Sequence, residues 1–343
     1  MLVAAIVVLV PLVSTASHLA LPTPVGPYAI GRLRLSWSDP ARREVLSANN
    51  VDQREIIAEV WYPARSGTGS AAPYFPDLAR VAAGLIQSGE FDRFETWGLR
   101  FVRAHGRTNA VAAEMATFPV VILSPGGATN AEFYASFAED LASNGFVVFA
   151  LNHPYDVAAV TLANGSVAVL ADQGPPNLDS TASRIAERVA DVRFLLDRLG
   201  EINGGSGPLA QHLDLARIGA MGHSLGGITA AQACAAEARL KACLNLDGLQ
   251  DGGPFSVRSG GPIPTQPFKF ITKETTLAPR LEELLRGVPN FSRTIIPDAA
   301  HRDFSDGPLF EPSLLPLSRT IDRVNAQIRG AIREFFQQTL VAR

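Results

Sequence analysis

Arg217-Ile218-Gly219-Ala220-Met221-Gly222-His223-Ser224-Leu225-Gly226-Gly227 decides how this chain of 343 residues is read. Ile218 to Met221 is a short apolar run of strand character, and Leu225 opens a helix-forming segment. Gly222-His223-Ser224-Leu225-Gly226 therefore falls on a strand-to-helix turn, the setting that gives a G-x-S-x-G pattern chemical meaning. The bend is so sharp that a Cβ two positions either side of the serine would clash, and glycine removes it. The serine is held in a strained backbone with Oγ exposed at the carboxyl edge of a sheet. An ordinary glycine-rich turn is the competing reading, and the flanking strand and helix weigh against it.

Outward from this turn, buried strands alternate with helices. Ile30 to Trp37 and Arg54 to Tyr62 read as strands, the second closed by Pro63. Phe118 to Leu123 and Phe146 to Leu151 are short apolar runs with the profile of buried parallel strands. Between them, Ala131 to Ser143 carries Phe133, Phe137 and Leu141 at helical spacing and stops at Gly145. Val157 to Leu170 turns at Asn164-Gly165, a strong hairpin signal. Thr181 to Leu199 is an amphipathic helix with Ile185, Val189, Val192, Leu195 and Leu196 inward. Ala242 to Leu246, Phe268 to Ile271 and Arg293 to Ile296 are further strands, and Ile321 to Leu340 is a closing helix. This order predicts one α/β domain over residues 21–343, a doubly wound, mostly parallel sheet with helices on both faces. Residues 64–117, with helices near Leu78 to Gln87 and Phe91 to Arg103, read as a lid-like helical insertion over the site.

Composition narrows the function. With 47% hydrophobic and 18% charged residues a large core is available and general disorder is excluded. A formal net charge of -3 with no basic run offers nothing to nucleic acid. Two cysteines, Cys234 and Cys243, make no metal site, and the sequence does not decide whether they pair. Leu2 to Val13 is almost wholly apolar and is followed by Ser14-Thr15-Ala16, the pattern of an export signal without its basic n-region. Residues 1–20 are expected to be a signal peptide of a secreted protein. The alternative is an N-terminal membrane segment, although the run is shorter than the roughly 20 residues a span needs.

A serine hydroxyl needs a base, itself oriented by an acid, and the elbow implies the chain order serine, acid, histidine. Of six histidines only His301 lies beyond the elbow, in Pro297-Asp298-Ala299-Ala300-His301-Arg302-Asp303-Phe304 after the last strand. His105, His153 and His212 are assigned to structure or surface. For the acid, Asp247 and Glu274 each end a strand, and topology alone leaves both open; Asp251, Asp298 and Asp303 read as solvated. The oxyanion hole needs two backbone N–H groups. Leu225 supplies one, and Gly127, in Ser124-Pro125-Gly126-Gly127 after the Phe118 to Leu123 strand, the other.

These motifs resemble those of the plasma-type and bacterial platelet-activating-factor acetylhydrolases, α/β-hydrolases close to secreted bacterial lipases and polyester hydrolases. The resemblance rests on Gly26-Pro27-Tyr28-Ala29-Ile30-Gly31, Val60-Trp61-Tyr62-Pro63, Ser124-Pro125-Gly126-Gly127, Leu141-Ala142-Ser143-Asn144-Gly145-Phe146, the elbow, Asn245-Leu246-Asp247-Gly248 and His301-Arg302-Asp303-Phe304-Ser305-Asp306. It implies the α/β-hydrolase fold and a Ser224-His301-Asp247 triad, since the aspartate of the Leu-Asp-Gly element is the family's acid. One departure is Pro125, where the family's oxyanion loop commonly has histidine. The implied reaction is two-step ester hydrolysis through an acyl-serine, with no metal or organic cofactor, on short-chain acyl or phospholipid-type esters. A secreted lipase or cutinase-like polyester hydrolase is the nearest rival. A non-catalytic binding protein of the same fold would lack nucleophile or base, and a dienelactone-type enzyme would have cysteine for Ser224. Phe75, Trp97, Phe101, Tyr134, Phe255 and Phe304 are candidate linings of an apolar acyl site. The implied partner is a small-molecule or lipid ester, with contact to a lipid surface as a further expectation; oligomeric state is not legible.

Overall fold

The computed structural model describes residues 19–49, 51–113, 117–172, 178–248, 264–273, 275, 279–310 and 315–341. The leader, Phe255, Asp251 and Glu274 lie outside them. Twelve strands and seven α-helices are described: β1 (Ala29–Arg43), β2 (Gln53–Ala64), β3 (Ser70–Ala71), α1 (Leu78–Gln87), α2 (Arg93–Gly98), β4 (Arg107–Thr108), β5 (Phe118–Ser124), α3 (Ala135–Ser143), β6 (Val147–Asn152), β7 (Ala159–Thr161), β8 (Val167–Val169), α4 (Leu178–Gly204), β9 (Leu213–His223), α5 (Leu225–Ala236), β10 (Leu240–Leu246), β11 (Phe268–Thr272), α6 (Pro279–Arg286), β12 (Phe291–Ile295) and α7 (Leu315–Phe336).

Ten strands form one sheet in the order β12-β11-β10-β9-β5-β6-β2-β1-β4-β3, and β7 pairs with β8 as the expected hairpin. From β6 to β12 every neighbour is parallel, while β2 runs antiparallel to β6 and to β1. The chain leaves β5 for β6 on one side and later returns to β9 on the other. That reversal opens a crevice at the carboxyl ends of β5 and β9, where open α/β sheets place their ligands.

Side-chain alternation explains why both faces are covered. On β5 and β6, Val121, Leu123, Val148 and Ala150 join one buried layer, and Val120, Ile122, Phe149 and Leu151 join the other. The first layer is completed by Leu78, Val81 and Leu85 of α1, Phe137 and Leu141 of α3, and Val324, Ile328 and Ile332 of α7. The second is completed by Val192, Leu195 and Leu199 of α4 and by Ala230, Ala231 and Cys234 of α5. Gly84 is where α1 meets the hairpin: a Cβ there would lie 2.9 Å from Ala159 Cβ and 3.0 Å from Val169 Cγ2.

Several expected boundaries shift. β1 and β9 run well past the apolar cores that betrayed them, because ladder pairing continues through polar residues. The helix expected over Phe91 to Arg103 is shorter. Asp92 caps it, accepting from Glu95 N–H at 2.7 Å, and Gly98 passes into a 3-10 turn over Leu99–Phe101. Residues 64–117 also contribute β3 and β4, which extend the sheet beyond β1 and carried no apolar signal.

The cysteines are paired. Cys234 of α5 and Cys243 of β10 are buried and disulfide-bonded, with Cα atoms 6.4 Å apart. The bridge ties the helix after the elbow to the strand that precedes Asp247. Closing a loop over a sequence separation of 9 removes unfolded-chain entropy worth about 2–3 kcal/mol. A Cys234→Ala/Cys243→Ala protein is expected to lose that much unfolding free energy in urea titration. A midpoint equal to that of the oxidised parent would show that the bridge adds nothing.

Candidate active site

Four loops meet at the carboxyl edge. Ser224 follows β9 and sits at φ 53°, ψ -120°, a left-handed conformation that a non-glycine residue adopts only under constraint. Its N–H continues the ladder to Leu246 O at 2.9 Å, and its carbonyl accepts from Gly227 N–H at 3.0 Å to start α5. The expected reason for the flanking glycines holds. A Cβ on Gly222 would run into the Gly226 carbonyl, and one on Gly226 into the carbonyls of Ser124 and Pro125. Gly227 and Gly248 are also crowded, by Asn245 Oδ1 and, for Gly248, by the Ser224 carbonyl.

Asp247, at φ 48°, follows β10. Its Oδ2 lies 2.7 Å from His301 Nδ1, and its Oδ1 accepts from Thr272 Oγ at 2.6 Å and Lys273 N–H at 3.2 Å. Burial pushes this carboxyl up, but the hydrogen bonds from His301, Thr272 and Lys273 outweigh it and hold the pKa below the ordinary value. A carboxylate at Nδ1 makes that nitrogen the donor and leaves Nε2 as acceptor. His301 opens a 3-10 turn over His301–Phe304 after β12, with its side chain 41% exposed. The expected rival acids are occupied elsewhere: Asp303 accepts from Ala300 N–H at 2.7 Å, and exposed Asp298 pairs with Arg323 at 2.8 Å. Asp306 anchors the same loop, accepting from Ser136 N–H at 3.1 Å and from Ser136 Oγ.

The two histidines of the site are unequal. His223 and His301 have ring centroids 4.6 Å apart, which fixes His301 beside the residue that precedes Ser224. His223 is buried and stacks on Phe304, and burial with the adjacent His301 lowers its pKa to about 3. It stays neutral at pH 7.

The loop after β5 approaches from the other side. Gly126 N–H donates to Tyr134 Oη at 2.9 Å, so that amide is used. Among the described residues Gly127 N–H makes no hydrogen bond. Leu225 is the first residue of α5, so its N–H has no partner within the helix. The structure thus brings Ser224, Asp247, His301, Gly127 and Leu225 to one edge.

The aromatic expectations divide. Phe75, Tyr134 and Phe304 are buried in the core, and Trp97 and Phe101 stand exposed on α2 and the turn after it, in edge contact with each other. None of these five is a demonstrated acyl lining, because helical spacing and aromatic content do not distinguish core, surface and cleft.

A second Ser-His-Asp array lies beneath the site. Ser124 Oγ is 2.8 Å from His153 Nε2, and His153 Nδ1 is 2.8 Å from Asp191 Oδ2. It is a structural element. All three residues are buried, Ser124 sits in regular strand, and Arg54 pairs with Asp191 at 2.6 Å. Burial together with Arg188 lowers His153 to about 4, as its assignment to structure requires. Sequence reasoning missed Asp191, Arg184 and Arg188, although charged residues interrupting the inward stripe of α4 were a signal.

Buried neutral histidines fix a pH dependence. His153 and His223 have folded pKa values below the ordinary 6.5, so their contribution is complete above pH 6.5 and is lost as pH falls. Each costs up to about 1.4 kcal/mol per pH unit between its unfolded and folded values. Unfolding free energy is expected to drop from pH 6.5 towards 4, and less steeply in His223→Gln. Equal slopes in urea titrations of the two proteins would contradict this.

Comparison with known proteins agrees with this architecture. A family model described as platelet-activating factor acetylhydrolase, isoform II, matches residues 13–173. A probable 1-alkyl-2-acetylglycerophosphocholine esterase from Arthroderma benhamiae is 24% identical over 273 residues, covering 74% of this chain and 65% of that protein. A platelet-activating factor acetylhydrolase from Canis lupus familiaris is 24% identical over 218 residues, covering 55% of this chain and 48% of that one. The chain therefore spans about two thirds and about half of these relatives. A solved ferulic acid esterase from Streptomyces cinnamoneus superposes with a TM-score of 0.75 at 24% identity, over 94% of each chain. The fold is that of the α/β-hydrolases, and the resemblance to the platelet-activating factor acetylhydrolases that the motifs suggested is borne out.

Proposed function

We propose that this chain is a serine carboxylic-ester hydrolase acting through Ser224, His301 and Asp247 on short-chain acyl or phospholipid-type esters. The observation that carries the reading is the His301 Nδ1 contact with Asp247 Oδ2 at 2.7 Å, at the same edge as the strained Ser224. In the proposed reaction Ser224 Oγ attacks the ester carbonyl while His301 Nε2 takes its proton. Asp247 holds the imidazole through Nδ1–H and stabilises its positive charge. The tetrahedral oxyanion accepts from the N–H groups of Gly127 and Leu225. His301 returns the proton to the departing alcohol. It then activates water, which releases the carboxylic acid and restores Ser224. Every step uses side chains and backbone of this chain.

The substrate class draws on the activity named for the fungal relative, an esterase for an acetyl ester of a glycerophosphocholine. Export is part of the same proposal: the apolar run Leu2 to Val13 and the disulfide both suit an oxidising compartment. N-terminal sequencing of the mature protein from the medium checks it, and an intact start at Met1 on cytoplasmic protein would count against it.

Turnover of p-nitrophenyl esters from acetate to palmitate tests the function. Activity is expected to peak at short chains and to fall by about a million-fold in kcat in Ser224→Ala. Asp247→Asn is expected to cost about 10⁴ in kcat, from the wrong imidazole tautomer. A peak at palmitate would favour the lipase reading, and unchanged turnover in Ser224→Ala would end the hydrolase reading.

A further inference from the structure

The Ser124-Pro125-Gly126-Gly127 loop is gripped from both sides, and the grip decides which way its amides point. Arg188 of α4 is buried, with Nη1 2.6 Å from Pro125 O and Nη2 3.3 Å from Gly126 O. On the opposite side Tyr134 Oη, also buried, accepts from Gly126 N–H at 2.9 Å and lies 2.8 Å from His223 Nδ1. A trans peptide carries its C=O and the next N–H on opposite sides. With the Pro125 carbonyl turned to Arg188, Gly126 N–H must point away from it, and there it meets Tyr134. With the Gly126 carbonyl also turned to Arg188, Gly127 N–H must likewise point away, towards the side occupied by the elbow.

The position of Arg188 is itself built. Asp156 Oδ2 accepts from its Nε at 2.5 Å, and Asp156 Oδ1 accepts from Arg184 Nε at 2.8 Å and from Arg184 Nη2. Asp156 O accepts from Ala128 N–H at 3.0 Å, which pins the far end of the loop, with Ala128 at φ 60°. One carboxylate between two guanidiniums leaves one net positive charge under the loop. Arg184 Nη2 would lie 3.2 Å from a Cβ on Gly127, so that charge reaches the loop itself. The glycine pair has no side chain of its own to resist a peptide flip, so the orientation has to come from these neighbours.

We propose that Arg188 and Tyr134 are positioning residues for ester hydrolysis, locking the two peptide planes of the oxyanion loop so that Gly127 N–H faces the developing oxyanion. The proposal rests on the ester-hydrolase reading and goes beyond it, since both side chains are buried and would act through the loop they hold. Loss of an oxyanion donor costs about 10²–10³ in kcat, and a flipped 126–127 peptide removes one. The effect should fall on kcat and on tetrahedral adducts while ground-state binding is spared.

The test uses the purified full chain with active sites titrated by a fluorophosphonate, so that rates refer to folded, competent enzyme. Arg188→Lys keeps the charge but not the two-carbonyl fork. It is expected to lower kcat about 10²-fold, with KM within about 3-fold, and to weaken inhibition by a trifluoromethyl ketone in parallel. Tyr134→Phe keeps the ring and removes the acceptor of Gly126 N–H, with the same pattern at about 10-fold. If Arg188→Lys does not fold, Tyr134→Phe decides the matter by itself. A lowered melting temperature with unchanged kcat and inhibitor affinity would make these residues ordinary buried supports and overturn the proposal. If the parent hydrolyses no ester, or Ser224→Ala retains its turnover, it is the ester-hydrolase reading that has failed; parental activity lost in Ser224→Ala but retained in both positioning variants isolates the failure to this inference.

Discussion

The contact on which the site depends is that of Gly226 with the end of β5. Ser124 pairs in register with Gly222, and the start of α5 lies directly against the carbonyls of Ser124 and Pro125. No residue with a Cβ fits at Gly222 or Gly226, because backbone oxygen already occupies the space. That approach sets the turn bearing Ser224 beside the loop bearing Gly127, and the rest follows from strand order. β10 lies next to β9 and delivers Asp247, and β12, two strands further out, delivers His301. The site is a consequence of three neighbouring crossovers ending at one edge.

Two His-Asp pairs end near a serine, His153–Asp191 at Ser124 and His301–Asp247 at the turn bearing Ser224, and their environments differ. Ser124, His153 and Asp191 are buried with Arg54, and the histidine is held neutral by burial and nearby arginine. His301 is partly exposed, and its carboxylate partner is stabilised by hydrogen bonds. A charge on His153 would be desolvated and set against Arg54 and Arg188, whereas the His301 ring is partly exposed to water. Residue identity alone would not assign these two arrays; burial and backbone conformation do.

Much of this was legible in the sequence because strong signals were local. The elbow, the Gly126-Gly127 loop and the apolar strands depend on backbone sterics and on period-two burial, which neighbouring residues reveal. Chain order singled out His301, which the structure sets 2.7 Å from Asp247. Chain order did not single out an acid, since Asp247 and Glu274 each end a strand and only the family resemblance chose between them. Polar strand extensions and the short β3 and β4 carried no apolar pattern and were missed. The aromatic residues gave no such signal, because a phenylalanine reads alike in core, surface and cleft: Phe304 stacks on His223 while Phe101 faces solvent. The salt-bridged support of the oxyanion loop joins Arg188 to residues more than 60 positions away, a contact no window of sequence displays.

Ser224, and not Ser124, whose hydroxyl is hydrogen-bonded to His153, is the residue expected to carry the acyl group. Acid-quenching the protein during turnover of a p-nitrophenyl ester, followed by peptide mass spectrometry, tests it directly. The acyl mass is expected on the peptide containing Ser224 and not on the peptide containing Ser124. An adduct on Ser124 or elsewhere, or steady turnover with Ser224 unmodified throughout, would contradict it.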